Sequence, residues 1–216
     1  MYRCVIFDLD GTLLNTLDDL ADAGNHVCRQ NGWPEHPVEA YKYFVGNGIE
    51  KLVERFTPPK HRRPETLKAA FDTFVAHYDL HKEDKTCPYP GIPALIEALR
   101  EQGIQMAVLT NKAHPLARDV VERYFPGVFP YVQGALPGQP TKPDPTLLSA
   151  LMEQMGAEAG ETLFVGDSSV DVRTAKNGNL PCCGVLWGFR TREELLEEGA
   201  DFLAASPEEL SKLILS

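Results

Sequence analysis

Nowhere in these 216 residues does an apolar run approach the roughly 20 residues a helix needs to span a bilayer, so no membrane-crossing helix is expected. Basic charge is scarce. Only 21 Lys and Arg face 31 Asp and Glu, and a formal net charge of -10 lacks the electropositive footprint that a nucleic-acid backbone demands. The five cysteines are odd in number and never spaced as CxxC, which leaves neither a disulfide framework nor a zinc site of that type; they read as buried thiols. The six histidines form no HxH or HExxH pair, which argues against a histidine-ligated metal. There is no basic-then-apolar leader, no internal repeat and no low-complexity tract. These absences lead to the expectation of a cytoplasmic protein with a small-molecule ligand, no nucleic-acid or membrane partner, and an oligomeric state open between monomer and dimer.

Apolar residues make up 43% of the chain, enough for a full core and a second, smaller domain. Three short apolar runs each end in polar residues of catalytic type. Cys4-Val5-Ile6-Phe7 leads into Asp8-Leu9-Asp10-Gly11-Thr12, Met106-Ala107-Val108-Leu109 into Thr110-Asn111-Lys112, and Leu163-Phe164-Val165 into Gly166-Asp167. Further strands are expected near Tyr131–Gly134 and Cys183–Trp187, with helical periodicity between the strands. The alternation predicts an α/β fold, a three-layer Rossmann-like parallel sheet with helices on both faces. In such sheets, chemistry gathers beyond the carboxyl ends of the strands, so these endings describe one site.

Between the first strand and Met106 the pattern is different. Leu17 to Cys28, Tyr41 to Val45, Ile49 to Phe56 and Leu67 to Tyr78 all carry helical spacing, with breaks at Asn31-Gly32, Gly46-Asn47-Gly48 and Pro58-Pro59. A parallel crossover needs only about a dozen residues, so this helix-only stretch predicts an inserted α-helical cap over 15–85, with 1–14 and 86–216 forming the core. Trp33, Phe71, Phe74 and Tyr78 are expected in the core of that insertion.

Asp8 and Asp10 flank one apolar residue at a strand end, and Asp167 and Asp171 follow another strand end. Carboxylates converging in this way repel one another unless a cation sits among them, and an all-oxygen ligand set suits Mg²⁺. Thr110 and Asn111 are expected just before a helix, offering a hydroxyl and backbone N–H groups to an anion. Lys142, in Lys142-Pro143-Asp144-Pro145, adds a positive charge at another helix start. Gly46, Asn47 and Gly48 are candidate substrate contacts through backbone N–H groups, with Lys42, Lys51 and Arg55 nearby in sequence.

Together these segments resemble the motifs of the haloacid dehalogenase superfamily, in its order and over most of the chain. The resemblance implies Asp8 as a nucleophile that becomes an aspartyl-phosphate, Asp10 as general acid/base, Thr110 on a phosphate oxygen, and Lys142 neutralising nucleophile and phosphate. It also implies a Mg²⁺ site among Asp8, Asp10, Asp167 and Asp171, the last matching a position more often indirect than ligating. An aspartate at position 10 separates phosphatases and mutases from dehalogenases in this superfamily. The stretch Phe7 to Thr16, Gly46-Asn47-Gly48, Thr110-Asn111-Lys112 and Gly166-Asp167-Ser168 are most similar to phosphoglycolate phosphatases, although Asn15 stands where many relatives carry Asp. The implied activity is hydrolysis of a small phosphate ester, 2-phosphoglycolate first among them. Pyrophosphatase, nucleotide phosphatase and β-phosphoglucomutase chemistry are the alternatives. Arg190 is a weak candidate for substrate contact.

Overall fold

The computed structural model describes residues 2–216 and divides into two compact units, one built from the chain up to Leu14 with Pro88–Ser216, the other from Asn15–Cys87.

The first unit holds a six-stranded sheet. Its strands are β1 (Cys4–Phe7), β4 (Gln105–Ala113), β5 (Tyr131–Ala135), β6 (Thr162–Gly166), β7 (Cys182–Val185) and β8 (Phe202–Ala204), in the order β5-β4-β1-β6-β7-β8. Every neighbouring pair is parallel. Helices α5 (Ile92–Glu101), α6 (His114–Tyr124), α7 (Thr146–Met155), α8 (Ser169–Asn177), α9 (Arg192–Glu197) and α10 (Pro207–Leu215) cover it. The two-residue period of a strand decides which face each side chain meets. Val5 and Phe7 of β1 pack with Leu95 and Leu99 of α5, Val120 and Val121 of α6, and Leu210 and Ile214 of α10. Cys4 and Ile6 face the other way, onto Leu147, Leu148 and Leu151 of α7, Val172 and Ala175 of α8, and Leu195 of α9. Both faces of β1 are therefore buried, which is why it reads as an unbroken apolar run rather than an alternation.

Two expectations are corrected, the extent of one strand in this unit and the burial of Cys87, at the end of the other. Strand β4 does not stop at Thr110 but runs to Ala113, with its register against β5 shifting between Leu109 and Ala113, so Thr110 and Asn111 lie within a strand and Ala113 takes the cap position of α6. A strand carrying Thr-Asn-Lys looks like a turn in the sequence; here those three residues fall in the shift between two points of pairing with β5, at Leu109 and at Ala113. Of the cysteines, four are buried as expected, but Cys87 is exposed.

The second unit is made of α1 (Leu17–Gln30), α2 (Val38–Phe44), α3 (Ile49–Phe56) and α4 (Pro64–His81). Its core is aromatic: Phe56 and Phe74 stack at 6.2 Å, Phe74 and Tyr78 at 5.7 Å, and Tyr41 is fully buried. Gly24, in the middle of α1, forgoes about 1 kcal/mol of helix propensity relative to alanine. The reason is Tyr41, whose ring and hydroxyl would stand within 2.4–2.8 Å of a Cβ there. Trp33, Phe74 and Tyr78 are buried as expected, whereas Phe71 is only partly so; it lines a surface groove of about 360 Å³ with Val53 and Leu67.

The chain passes between the units twice, at β2 (Leu14–Asn15) and β3 (Cys87–Pro88), and these two short strands pair with each other. Just inside the second unit, the buried Asp19 closes its two ends together. One carboxylate oxygen accepts from Lys85 N at 3.0 Å, and the other accepts from Thr86 N at 2.8 Å and Thr86 Oγ1 at 2.7 Å. Asp19→Ala would remove the acceptor from the exposed Lys85 and the buried Thr86, at about 3 kcal/mol. The expected outcome is a melting temperature lower by about 6–12 °C for a chain of this size, read by calorimetry. A change under about 2 °C would mean that water replaces the carboxylate without loss.

Candidate active site

Strand β1 lies between β4 and β6, with Phe7 level with Val108 on one side and Val165 on the other. The residues that follow Phe7 and Gly166 are therefore delivered to the same edge of the sheet. Asp8, only 8% exposed, is fixed by its N–H donating to Val165 O at 2.8 Å. Asp8, Asp167 and Asp171 each offer a carboxylate oxygen within 4.8 Å of the others, and all three are buried. Asp10 does not belong to that trio; its carboxylate pairs with Lys112 instead.

Glycines make room for the trio. Gly11, at φ +90°, turns the chain out of β1, and a Cβ there would lie 2.5 Å from Asp167 Oδ2. A Cβ at Gly188 would be 2.2 Å from Cβ of Asp167, and one at Gly166 would be 2.3 Å from Cβ of Asp171. Asp167 is held on both oxygens, by Thr12 Oγ1 donating to Oδ1 at 3.3 Å and Phe189 N donating to Oδ2 at 2.7 Å. Trp187 Nε1 donates to Thr12 O at 2.9 Å, tying the segment after β7 to the turn after β1.

Lys142 is the counter-charge. Its ammonium lies 2.7 Å from Asp171 Oδ1 and 2.9 Å from Asp8 Oδ1, the latter an ion pair off the line of a hydrogen bond, so this Asp8 oxygen has no hydrogen-bond donor. Asp171 spends its other oxygen on the start of α8, accepting from Ser168 N at 3.0 Å and Ser168 Oγ at 2.6 Å in a capping box. Asn111 clamps the backbone of Lys142 from both directions: its Nδ2 donates to Lys142 O at 3.1 Å and its Oδ1 accepts from Lys142 N at 2.9 Å. Thr110 is buried, and its hydroxyl oxygen accepts from Lys112 N at 3.2 Å.

The electrostatics show a site short of positive charge. Burial, then the Asp171 charge, push Asp8 up to about 7 against the partial relief of Lys142. Burial, then Asp171 and Asp8, push Asp167 up to about 8. Burial opposes the charge on Lys142, but Asp171 and Asp8 outweigh it and hold the ammonium above its ordinary range. One lysine does not balance three buried carboxylates. The all-oxygen donor set, its burial and the raised carboxylates fit a hard divalent cation such as Mg²⁺.

In the helical unit, Gly46 (φ +113°) and Gly48 (φ +83°) bracket Asn47 in the connection between α2 and α3. Arg55 holds this loop, donating to Asn47 Oδ1 at 2.7 Å and Phe44 O at 2.8 Å. Arg190, in the first unit, pairs with Glu194 at 3.4 Å. The sequence placed Trp187-Gly188-Phe189-Arg190 within reach of the pocket, and Trp187 and Gly188 do lie against it, but it assigned no role to Lys112 or Ser168.

A doubly covered parallel sheet gathers buried carboxylates and a lysine beyond the carboxyl ends of its central strands, an arrangement suited to a divalent cation and to phosphoryl chemistry. A family model for haloacid dehalogenase-like hydrolases matches residues 5–185, most of the chain. The phosphoglycolate phosphatase of Aquifex aeolicus is 30% identical over 213 residues, covering 98% of this chain and 96% of that protein. That of Vibrio parahaemolyticus is 32% identical over 223 residues, with the same coverage. Among solved structures, a protein from Lactobacillus delbrueckii subsp. bulgaricus superposes with a TM-score of 0.94 at 31% identity, covering 99% of this chain and 98% of that one. The chain belongs to the haloacid dehalogenase-like hydrolases.

Proposed function

We propose that this enzyme is a Mg²⁺-dependent phosphatase that hydrolyses 2-phosphoglycolate through an aspartyl-phosphate on Asp8. The observation that carries the reading is Asp8 itself: a buried carboxylate at the end of the central strand, with one oxygen that accepts no hydrogen bond and an ammonium 2.9 Å away. Asp8 and Asp167 would hold the cation, which supplies positive charge against the phosphate oxygens when bound. Asp171, with both oxygens engaged, holds Lys142 in place.

Asp8 attacks phosphorus in line with the ester oxygen, and Asp10 gives a proton to that oxygen as the P–O bond breaks. Lys142 stands over the nucleophile and the transferred phosphoryl group, and Thr110 faces a phosphate oxygen. Asp10, now a carboxylate, takes a proton from water as the water oxygen attacks phosphorus and the bond to Asp8 breaks. Inorganic phosphate leaves, and Asp8 is restored. Gly46, Asn47 and Gly48 are the helical unit's candidates for substrate contact, and Asn111 acts by fixing Lys142.

The relatives named phosphoglycolate phosphatase, matched over nearly their full length, support the choice of substrate. The test is phosphate release from a panel of small esters with Mg²⁺. The highest kcat/KM should fall on 2-phosphoglycolate; a preference of tenfold or more for a nucleotide or pyrophosphate, or conversion of β-glucose 1-phosphate without phosphate release, would reassign the enzyme.

A further inference from the structure

Lys112 belongs to none of the roles assigned above, yet it is among the most buried charged residues of the chain. It sits in β4 with a residue exposure of 6%, and its ammonium lies 2.9 Å from Asp10 Oδ1 and 3.0 Å from Asp10 Oδ2. The two residues are 102 positions apart, so the pair exists only because the sheet brings β4 beside β1. We propose that Lys112 is the positioning residue for Asp10, fixing the orientation in which that carboxyl group exchanges protons with the ester oxygen and with water. The inference rests on the reading of Asp10 as the acid/base.

The physical reason lies in the freedom of an aspartate. Its terminal torsion is broad, with no steep preference among orientations. A proton donor, by contrast, must stand within hydrogen-bond reach of one particular oxygen, and small misplacements are costly. One ammonium contacting both oxygens removes the torsional freedom, and burial of the lysine keeps water from competing for it. Asp10 has a cation of its own, while Asp8 and Asp171 share Lys142. The site thus contains two lysines with separate tasks. Lys142 serves the nucleophile, and Lys112 serves the proton donor.

Proton balance leaves Lys112 outside the transfers. The proton that Asp10 takes from water in one turnover is the proton it gives to the leaving oxygen in the next, while the ammonium donates hydrogen bonds throughout.

The test compares single-turnover release of the leaving group from 2-phosphoglycolate, whose alkoxide must be protonated, and from p-nitrophenyl phosphate, whose phenolate leaves unaided. Lys112→Met should slow the alkyl ester by about 100-fold and the aryl ester by no more than about threefold, in line with the worth of a positioned proton donor. Lys112→Arg, which keeps a cation with two parallel donors, should recover at least about tenfold on the alkyl ester alone. Equal losses on both esters, no loss on either, or an arginine variant no better than methionine on the alkyl ester would overturn the proposal. Should the methionine variant fail to fold, Lys112→Arg is set against wild type, and a loss that is equal on both esters overturns it. Asp10→Asn separates the two readings. If that variant loses both esters alike, the acid/base assignment of Asp10 fails; if it is selective and Lys112→Met is not, only the role of Lys112 fails.

Discussion

Asp8→Asn should release phosphate at least about 10⁴-fold more slowly than the wild type, because an amide cannot form the covalent phosphoryl bond proposed for Asp8. The fold should survive. Asp8 is disfavoured in its charged form by burial and by Asp171, so removing the charge relieves the native state, and Lys142 keeps its 2.7 Å contact with Asp171. The metal-free variant should melt no lower than wild type at pH 8, measured by calorimetry beside the phosphate assay. Turnover within tenfold of wild type would remove Asp8 from the nucleophile's role, whereas collapse of the fold would show that its carboxylate is a structural support.

Removing the cation is expected to have an effect of similar size, and pH should reveal its cause. In excess EDTA phosphate release should fall below about 1% of the wild-type rate and return with added Mg²⁺, because two buried carboxylates and a phosphate ester would otherwise repel one another. The carboxyl groups of Asp8 and Asp167 are raised in the native state to about 7 and about 8, while in the unfolded chain they titrate near the ordinary value of 3.8. Between those limits the native state holds more protons than the unfolded state, so stability of the metal-free protein is full below about pH 4 and declines as pH rises towards 8. Two coupled groups raised by this much amount to a change on the order of a few kcal/mol, or about 5 °C or more in melting temperature between pH 5 and pH 8. Saturating Mg²⁺ should flatten the decline, and its affinity should rise over the same range because it binds the ionised carboxylates. Full activity in EDTA would reject the metal assignment. A metal-free melting temperature that climbs between pH 5 and pH 8 would reject the electrostatic account of the cluster.

The parts of this site visible in the sequence are those whose local pattern matches their final environment. Cys4–Phe7 and Leu163–Val165 are buried on both faces and therefore read as continuous apolar runs, so the acids placed after them could be assigned to strand ends directly. Helix α1 was legible from spacing alone. Strand β4 was legible only to Thr110, because the residues beyond it are polar and the pairing that carries the strand on to Ala113 is with β5, more than 20 positions away. Strand β8, three residues long, carries too little pattern to be seen. Lys112 was invisible as a functional group, since a lysine after an asparagine ordinarily reads as solvated and its partner is across the sheet. The side-chain amide of Asn111 is spent on the main chain of Lys142, a use hidden in the sequence because it depends on where the loop after β5 comes to rest.

The entry and exit of the helical unit are stitched together by the ribbon of β2 with β3 and by the clasp of Asp19 on Lys85 and Thr86. A segment whose ends already meet behaves as a cassette. It can be cut out and bridged by a short turn without asking the sheet to rearrange, and a foreign helical module with similarly adjacent termini can be grafted in its place.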